Sequence, residues 1–282
     1  MKTKDQLIDE LLDLAFAEDL GDGDHTTLST IPADAMGRSR LIIKEEGVLS
    51  GVEIAEKVLH KVDPSIKIDV MIKDGSHVKP GDIAFTAEGP VRSLLIAERT
   101  MLNIMQRMSG VATMTARYQK ELDGLHTKVL DTRKTTPGMR MLEKEAVAAG
   151  GGKNHRIGLY DMILIKDNHI DFAGGIEKAI SRANDYCKAN GKELKIEVEV
   201  RSLDDIRRVM EHGGVDRIMF DNFSPELTKE AVAMVGGKYE TESSGGITIE
   251  NLRAYGEAGV DFISVGALTH SVKGLDMSFK AF

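Results

Sequence analysis

Hydrophobic and polar positions change rhythm several times along the chain, and each change predicts an element. Residues 4–20 carry Leu7, Ile8, Leu11, Leu12 and Ala15 at helical spacing, which predicts an amphipathic helix that Gly21 can end. GDGDHTTLSTIP follows as a turn-rich loop. From Arg38 to about Glu88 the pattern shortens to alternating strands in RSRLIIKEEG, IKIDVMIKDG and DIAFTAEG, with a helix in GVEIAEKVLHKV between the first two. The Gly and Pro punctuation of KDGSHVKPGD marks tight turns. This block predicts a small α+β domain. Val91 to about Asp123 is helical, with a broad apolar face from Leu94, Leu95, Met101, Leu102, Ile104, Met105 and Met108, and Ser109-Gly110 is expected to break it. That methionine-rich face reads as core or subunit interface, although methionines also build adaptable binding grooves.

After Leu125 the rhythm becomes regular. Strand-like runs at 126–131, 161–166, 195–200, 216–221, 238–243 and 261–266 alternate with helix patterns near 139–149, 173–189, 202–212, 224–235 and 248–258. Such alternation predicts a parallel sheet covered by helices. Six strong strands predict an α/β barrel short of the usual eight, with an open doubly wound sheet as the alternative. The expected division is a first domain over 1–110, including the linking helix, and a second over 111–282.

Composition narrows the function classes. The chain has 282 residues and a formal net charge of −8, the opposite of a non-specific nucleic-acid footprint. A single cysteine, Cys187, excludes an intramolecular disulfide and a multi-cysteine metal site. Asp5, Asp9, Glu10 and Asp13 interrupt the first helix, which leaves no continuous apolar signal region, and the expected location is the cytoplasm. GxGxxG, Walker and HExxH motifs are absent, and His155 and His169 lack zinc-type spacing.

The chemistry collects at strand ends. The first run leads into Asp131, Arg133 and Lys134; the second into Lys166, Asp167, Asn168 and His169; the third carries Glu197 and Glu199; the fourth ends in Asp221-Asn222. The fifth ends in Ser243, Ser244, Gly245 and Gly246, and the sixth runs into Gly266, Thr269, His270 and Ser271. In a parallel barrel these ends converge on one mouth. SSGGIT and VGALTHS, after the last two strands, suit a phosphate cradle, against the plainer reading of glycine turns. Arg133, Lys134, His155, Arg156 and Lys166 form a basic group larger than one phosphate needs, with Gly150-Gly151-Gly152 as a flexible approach. Arginine forks match carboxylates, so a di-anion is the expected ligand. Glu199 and Asp221 offer hard oxygens that suit Mg²⁺ held jointly with substrate phosphates. Glu197 shares a strand face with Glu199 and is expected to be structural, paired with a lysine.

With these residues in hand, the chain resembles the quinolinate phosphoribosyltransferase family. The matching stretches are EDLGDGDHTT, KEEGVLSG, AERTMLNIMQRMSGVAT, DTRKTTPGMR, AVAAGGGKNHRIGLYDMILIKDNH, IEVEV, MFDNFSP, SSGGIT and GVDFISVGALTHS, which span nearly the whole chain. His25, Arg201 and Ser243 depart from the family pattern, and none of these departures removes a charged site residue. The resemblance implies an N-terminal open α/β sandwich and a C-terminal incomplete, about six-stranded α/β barrel. It implies transfer of phosphoribosyl from phosphoribosyl diphosphate to quinolinate, with Mg²⁺ as cofactor, giving nicotinate mononucleotide, CO₂ and diphosphate. Arg99, Arg133, His155, Arg156 and Lys166 would form the quinolinate pocket. Lys134, Glu199 and Asp221 would hold ribose and diphosphate, with Lys134, Lys166, Glu199 and Asp221 as the catalytic set. Ser244, Gly245, Gly246, Gly266 and His270 would surround the phosphate. Arg99 would come from the neighbouring subunit of a homodimer. Rival readings are a relative with another acceptor, a lyase using Lys166 as a Schiff base, and a non-catalytic sensor.

Overall fold

The structure, a computed structural model, describes residues 2–282. In chain order the elements begin with α1 (Lys4–Leu20), α2 (His25–Thr30), β1 (Met36–Ile43), β2 (Gly47–Val48), α3 (Val52–Val62), β3 (Lys67–Val70), β4 (His77–Val78), β5 (Ile83–Pro90) and α4 (Val91–Glu121). There follow β6 (Lys128–Leu130), α5 (Arg140–Ala149), β7 (Ile163–Ile165), α6 (Asp167–Ala173), α7 (Ile176–Ala189), β8 (Ile196–Val200) and α8 (Leu203–His212). The chain closes with β9 (Arg217–Asp221), α9 (Pro225–Val235), β10 (Glu240–Ser244), α10 (Leu252–Glu257), β11 (Phe262–Ser264), α11 (Ala267–His270) and β12 (Met277–Ala281). These elements fall into two compact units, one of the described residues up to 116, 135–151 and 268–282, the other of 117–134 and 152–267.

In the first unit, among the described residues, β12-β1-β5-β3 form an antiparallel sheet. β12 is absent from the sequence expectation, yet its MSFKA buries Met277 and Phe279 alternately, as a half-buried strand should. It returns the chain's last segment to the sheet begun by β1. α1 starts with a capping box: Gln6 N–H donates to the Thr3 hydroxyl and Thr3 N–H donates to Gln6 Oε1. The stretch expected to be only loop contains α2, because the Asp24 carboxylate accepts the Thr27 N–H at 3.0 Å and caps a helical turn. α4 runs unbroken through Ser109-Gly110, against expectation. Gly110 is there for close approach: a Cβ would lie 2.3 Å from the Lys273 carbonyl oxygen. One helical glycine costs only about 1 kcal/mol, which a well-packed helix absorbs.

In the second unit, β6-β11-β10-β9-β8-β7 form a parallel sheet of six strands. All five residues of β8 are buried, as expected of a parallel strand covered on both faces. Among the described residues β6 and β7 are its edge strands, β6 meeting only a single-residue bridge from Lys153, so the sheet is not closed. No described helix is long and apolar enough to cross a membrane.

Candidate active site

Strand register and the period of two decide which side chains share the working face of the second unit. Glu199 on β8 lies opposite Met219 on β9, Met219 opposite Glu242 on β10, and Asp221 opposite Ser244. At this face lies a cavity of about 200 Å³, lined by Arg133, Lys134, His155, Arg156, Lys166 and Ser244, with Leu164 and Met219 as apolar wall. Six of the expected site residues thus meet in one place.

The rim of the cavity is set by how β6 ends. Asp131 is fully buried and accepts the His155 backbone N–H at 2.9 Å and the Asn154 Nδ2 at 3.0 Å. That carboxylate ties the loop carrying His155 and Arg156 to the end of β6. The Thr132 hydroxyl then accepts the Lys134 N–H at 3.0 Å, so the chain turns rather than running on extended. Arg133 and Lys134 therefore line the same cavity. Burial, and next the neighbouring Arg133 charge, hold the Arg156 guanidinium below its ordinary value. Two arginines this close in an acidic chain could seat an anion, although Glu197 and Asp161 offset part of their charge. On β7's far side, Lys166 Nζ lies 3.0 Å from Glu199 Oε2, and this pairs the lysine with a nearly buried carboxylate.

Below the rim the charges lie close to counter-charges, although both Glu197 oxygens and Glu242 Oε1 lack a hydrogen bond. Glu197 is fully buried, and its partner is His155 rather than a lysine: His155 Nε2 lies 3.0 Å from Glu197 Oε2 and 3.5 Å from Glu242 Oε2. The lysine expectation fails because Arg217 occupies the matching position on the neighbouring strand. Arg217 Nη1 donates to Glu242 at 3.0 Å. His155 Nδ1 accepts the Arg156 N–H at 2.7 Å. Burial raises the Glu197 carboxyl to about 7. Burial, then the neighbouring Glu197 charge, raises Glu242 to about 8. Near neutral pH the pair therefore retains a proton. His155, Glu197 and Glu242 bring ligand-type atoms within 4.8 Å of one another, but Arg217 already supplies this group with its cation.

The expected phosphate cradle begins at the end of β10. Gly245 and Gly246 have φ of +94° and +60°, and a Cβ on Gly245 would lie 2.2 Å from Asn222 Oδ1. Asn222 itself has φ +55°, donates its N–H to the Ser244 carbonyl at 2.8 Å and its Nδ2 to Asp221 at 2.7 Å. Only glycine fits beside that turn. α10 begins at Leu252, later than expected, so the glycines lead into a turn closed by Asn251 Oδ1 on the Thr248 N–H. Gly266 comes after β11 in this unit, whereas Arg99 and His270 belong to the first unit. There, exposed Arg99 lines a cavity of about 270 Å³ with Glu18, Asp19, Asn103 and Met139, and His270 Nδ1 meets Ser271 Oγ at 2.6 Å.

Arg217 and Glu242 escaped the sequence reading. The available signal was charged residues, Arg217 in RIMFD and Glu242 in ETESS, inside short runs that read as strands. Their meaning depends on register across β8, β9 and β10, which no single strand reveals.

Known families match both the N-terminal and the C-terminal part of the chain. Residues 24–109 match the family described as quinolinate phosphoribosyl transferase, N-terminal domain, and residues 111–280 match its C-terminal domain. The quinolinate phosphoribosyltransferase (decarboxylating) 2, mitochondrial, of Nicotiana glauca is 43% identical over 288 residues, covering 96% of this chain and 81% of that one. The probable nicotinate-nucleotide pyrophosphorylase (carboxylating) of Bacillus subtilis is 43% identical over 269 residues, covering 95% and 91%. The solved nicotinate-nucleotide pyrophosphorylase of Francisella tularensis superposes with a TM-score of 0.93 at 40% identity, covering 100% of this chain and 98% of that one.

Proposed function

Because the chain belongs to the quinolinate phosphoribosyltransferase family, we propose that it transfers phosphoribosyl from phosphoribosyl diphosphate to quinolinate, with decarboxylation to nicotinate mononucleotide. The observation that carries this reading is the cavity rim, where Arg133 and Arg156 stand close enough to perturb one another beside Lys134 and Lys166. A dicarboxylate relieves that repulsion and occupies the arginine forks.

In this reading Arg133 and Arg156 bind the two carboxylates, His155 shapes the pocket beneath them, and Lys166 holds one edge of the acceptor. Lys134 faces the diphosphate, and Ser244, Gly245, Gly246 and Gly266 receive the 5′-phosphate. The pyridine nitrogen attacks the anomeric carbon as the carbon–oxygen bond to diphosphate breaks. Glu199 and Asp221 balance the positive charge that develops on the sugar. The ring nitrogen is then cationic, so the bond from C2 to its carboxylate can break with its electron pair left on C2. A proton then replaces CO₂. These residues work by orientation and electrostatics, with no covalent nucleophile.

Glu199 and Asp221 also fit a magnesium ion. They are hard oxygen donors on neighbouring strands of one face, and Asp221 at its strand end is only half-buried. Bound Mg²⁺ supplies charge neutralisation for the departing diphosphate. The active unit is a cytoplasmic homodimer in which exposed Arg99 completes the partner's acceptor pocket. Incubation with quinolinate, phosphoribosyl diphosphate and Mg²⁺ should yield nicotinate mononucleotide and CO₂. Nicotinate should compete poorly as acceptor, and its use at equal efficiency would replace quinolinate in this reading.

A further inference from the structure

Beneath the acceptor cations the sheet places charges that the transfer chemistry does not use. Arg217 on β9 lies opposite Glu197 on β8 and opposite Glu240 on β10, with Glu242 one inward-facing position further along. Arg217 is 8% exposed, and its Cζ sits 4.3 Å over the Phe262 ring. Its fork donates to Glu242 at 3.0 Å and, through Nε and Nη2, to Glu240 at 3.2 and 3.0 Å. Glu242 and Glu197 reach up to His155 Nε2, and His155 Nδ1 accepts the N–H of Arg156. A continuous chain of contacts thus runs from Arg217 through Glu242 and His155 to Arg156.

That chain poses an electrostatic problem. Two carboxyl groups lie directly under a cavity whose rim is built for a di-anion, and Glu242 itself borders that cavity. Left unbalanced, they would repel the ligand that Arg133 and Arg156 attract. We propose that Arg217 is a positioning residue for acceptor binding: its buried charge balances Glu197 and Glu242, so that they can seat His155 without opposing a dicarboxylate above it. Phe262 below and Glu240 beside it keep the guanidinium in place. The inference rests on the quinolinate reading and adds to it the residue that lets the pocket tolerate its own acidic floor.

Charge balance and mere packing predict different things. Arg217→Met removes the charge and keeps much of the bulk, whereas Arg217→Lys keeps the charge and loses the fork. Steady-state kinetics on the intact protein should show the quinolinate KM raised at least tenfold by Arg217→Met, with kcat and the phosphoribosyl diphosphate KM within threefold. Arg217→Lys should hold the quinolinate KM within threefold, and it carries the test by itself should Arg217→Met fail to fold. Equal damage from both replacements, or a loss confined to kcat, would overturn the proposal. Calorimetric titration with quinolinate separates this inference from the activity on which it rests. If the wild-type protein binds quinolinate but makes no nucleotide, the activity reading fails while the same ratios are still read as Kd. If wild type turns over and the variants bind quinolinate alike, the inference fails alone.

Discussion

The rim and the floor of the second unit's cavity solve opposite problems on the same sheet. At the rim, Arg133 and Arg156 stand together and raise each other's electrostatic energy. In the floor, Arg217, Glu242, Glu197 and His155 are paired within 3.0–3.5 Å and closed to solvent. Uncompensated like charges cost stability and persist where a ligand supplies the missing sign. Compensated buried charges hold geometry whether or not a ligand is present. The difference separates residues that bind from residues that position.

Arg133→Ala should break the rim and leave the floor intact. Each charge-assisted hydrogen bond is worth about 1.5–3 kcal/mol, so the quinolinate KM should rise roughly 10–100-fold. Thermal unfolding should shift little or move upward, because Arg156 loses a repelling neighbour. A large drop in Tm with KM unchanged would move Arg133 from the rim to the scaffold.

Gly245→Ala tests the turn beside that cavity. The new Cβ would meet Asn222 Oδ1 at 2.2 Å on a backbone with φ +94°. The strain should cost about 1–3 kcal/mol, read by denaturant unfolding, and should weaken phosphoribosyl diphosphate more than quinolinate. A variant as stable as wild type would remove the steric argument for glycine there.

The floor should show itself in a pH response. The folded Glu197 and Glu242 carboxyls keep protons up to about 7 and 8, whereas ordinary glutamates in an unfolded chain release theirs near 4.5. Between those values the folded state binds more protons, so stability should fall as pH rises from about 5 through 8. The Glu197→Gln/Glu242→Gln double variant should flatten that slope. Identical slopes in the two proteins would mean that the pair does not hold its proton in the folded state.

Much of this arrangement was legible in the sequence, and the remainder depended on partners distant in the chain. The six parallel strands showed as short apolar runs between helical patterns, and β8 is buried throughout, as its IEVEV run required. Arg133 and Lys166 were readable because each follows a strand-like run closely, and Arg156 because it closes the basic KNHR run after three glycines. α2 was missed because its signal is one aspartate cap in a glycine-rich stretch. Gly110 was misread as a breaker because the backbone it admits, at Lys273, is 163 residues further on (273 − 110). Glu197 was assigned a lysine because its partner, His155, comes from a loop distant in sequence that Asp131 helps to hold in place. Local pattern reveals the rim, whereas the floor appears only once β8, β9 and β10 are in register.

Quinolinate labelled with ¹³C in its C2 carboxylate, incubated with phosphoribosyl diphosphate and Mg²⁺, tests the account most directly. The wild-type protein should release one labelled CO₂ for each nicotinate mononucleotide formed, and Arg133→Ala should release almost none at the same substrate concentration. Nucleotide formed without labelled CO₂, or equal release by the variant, would contradict a cationic rim that selects and orients a dicarboxylate.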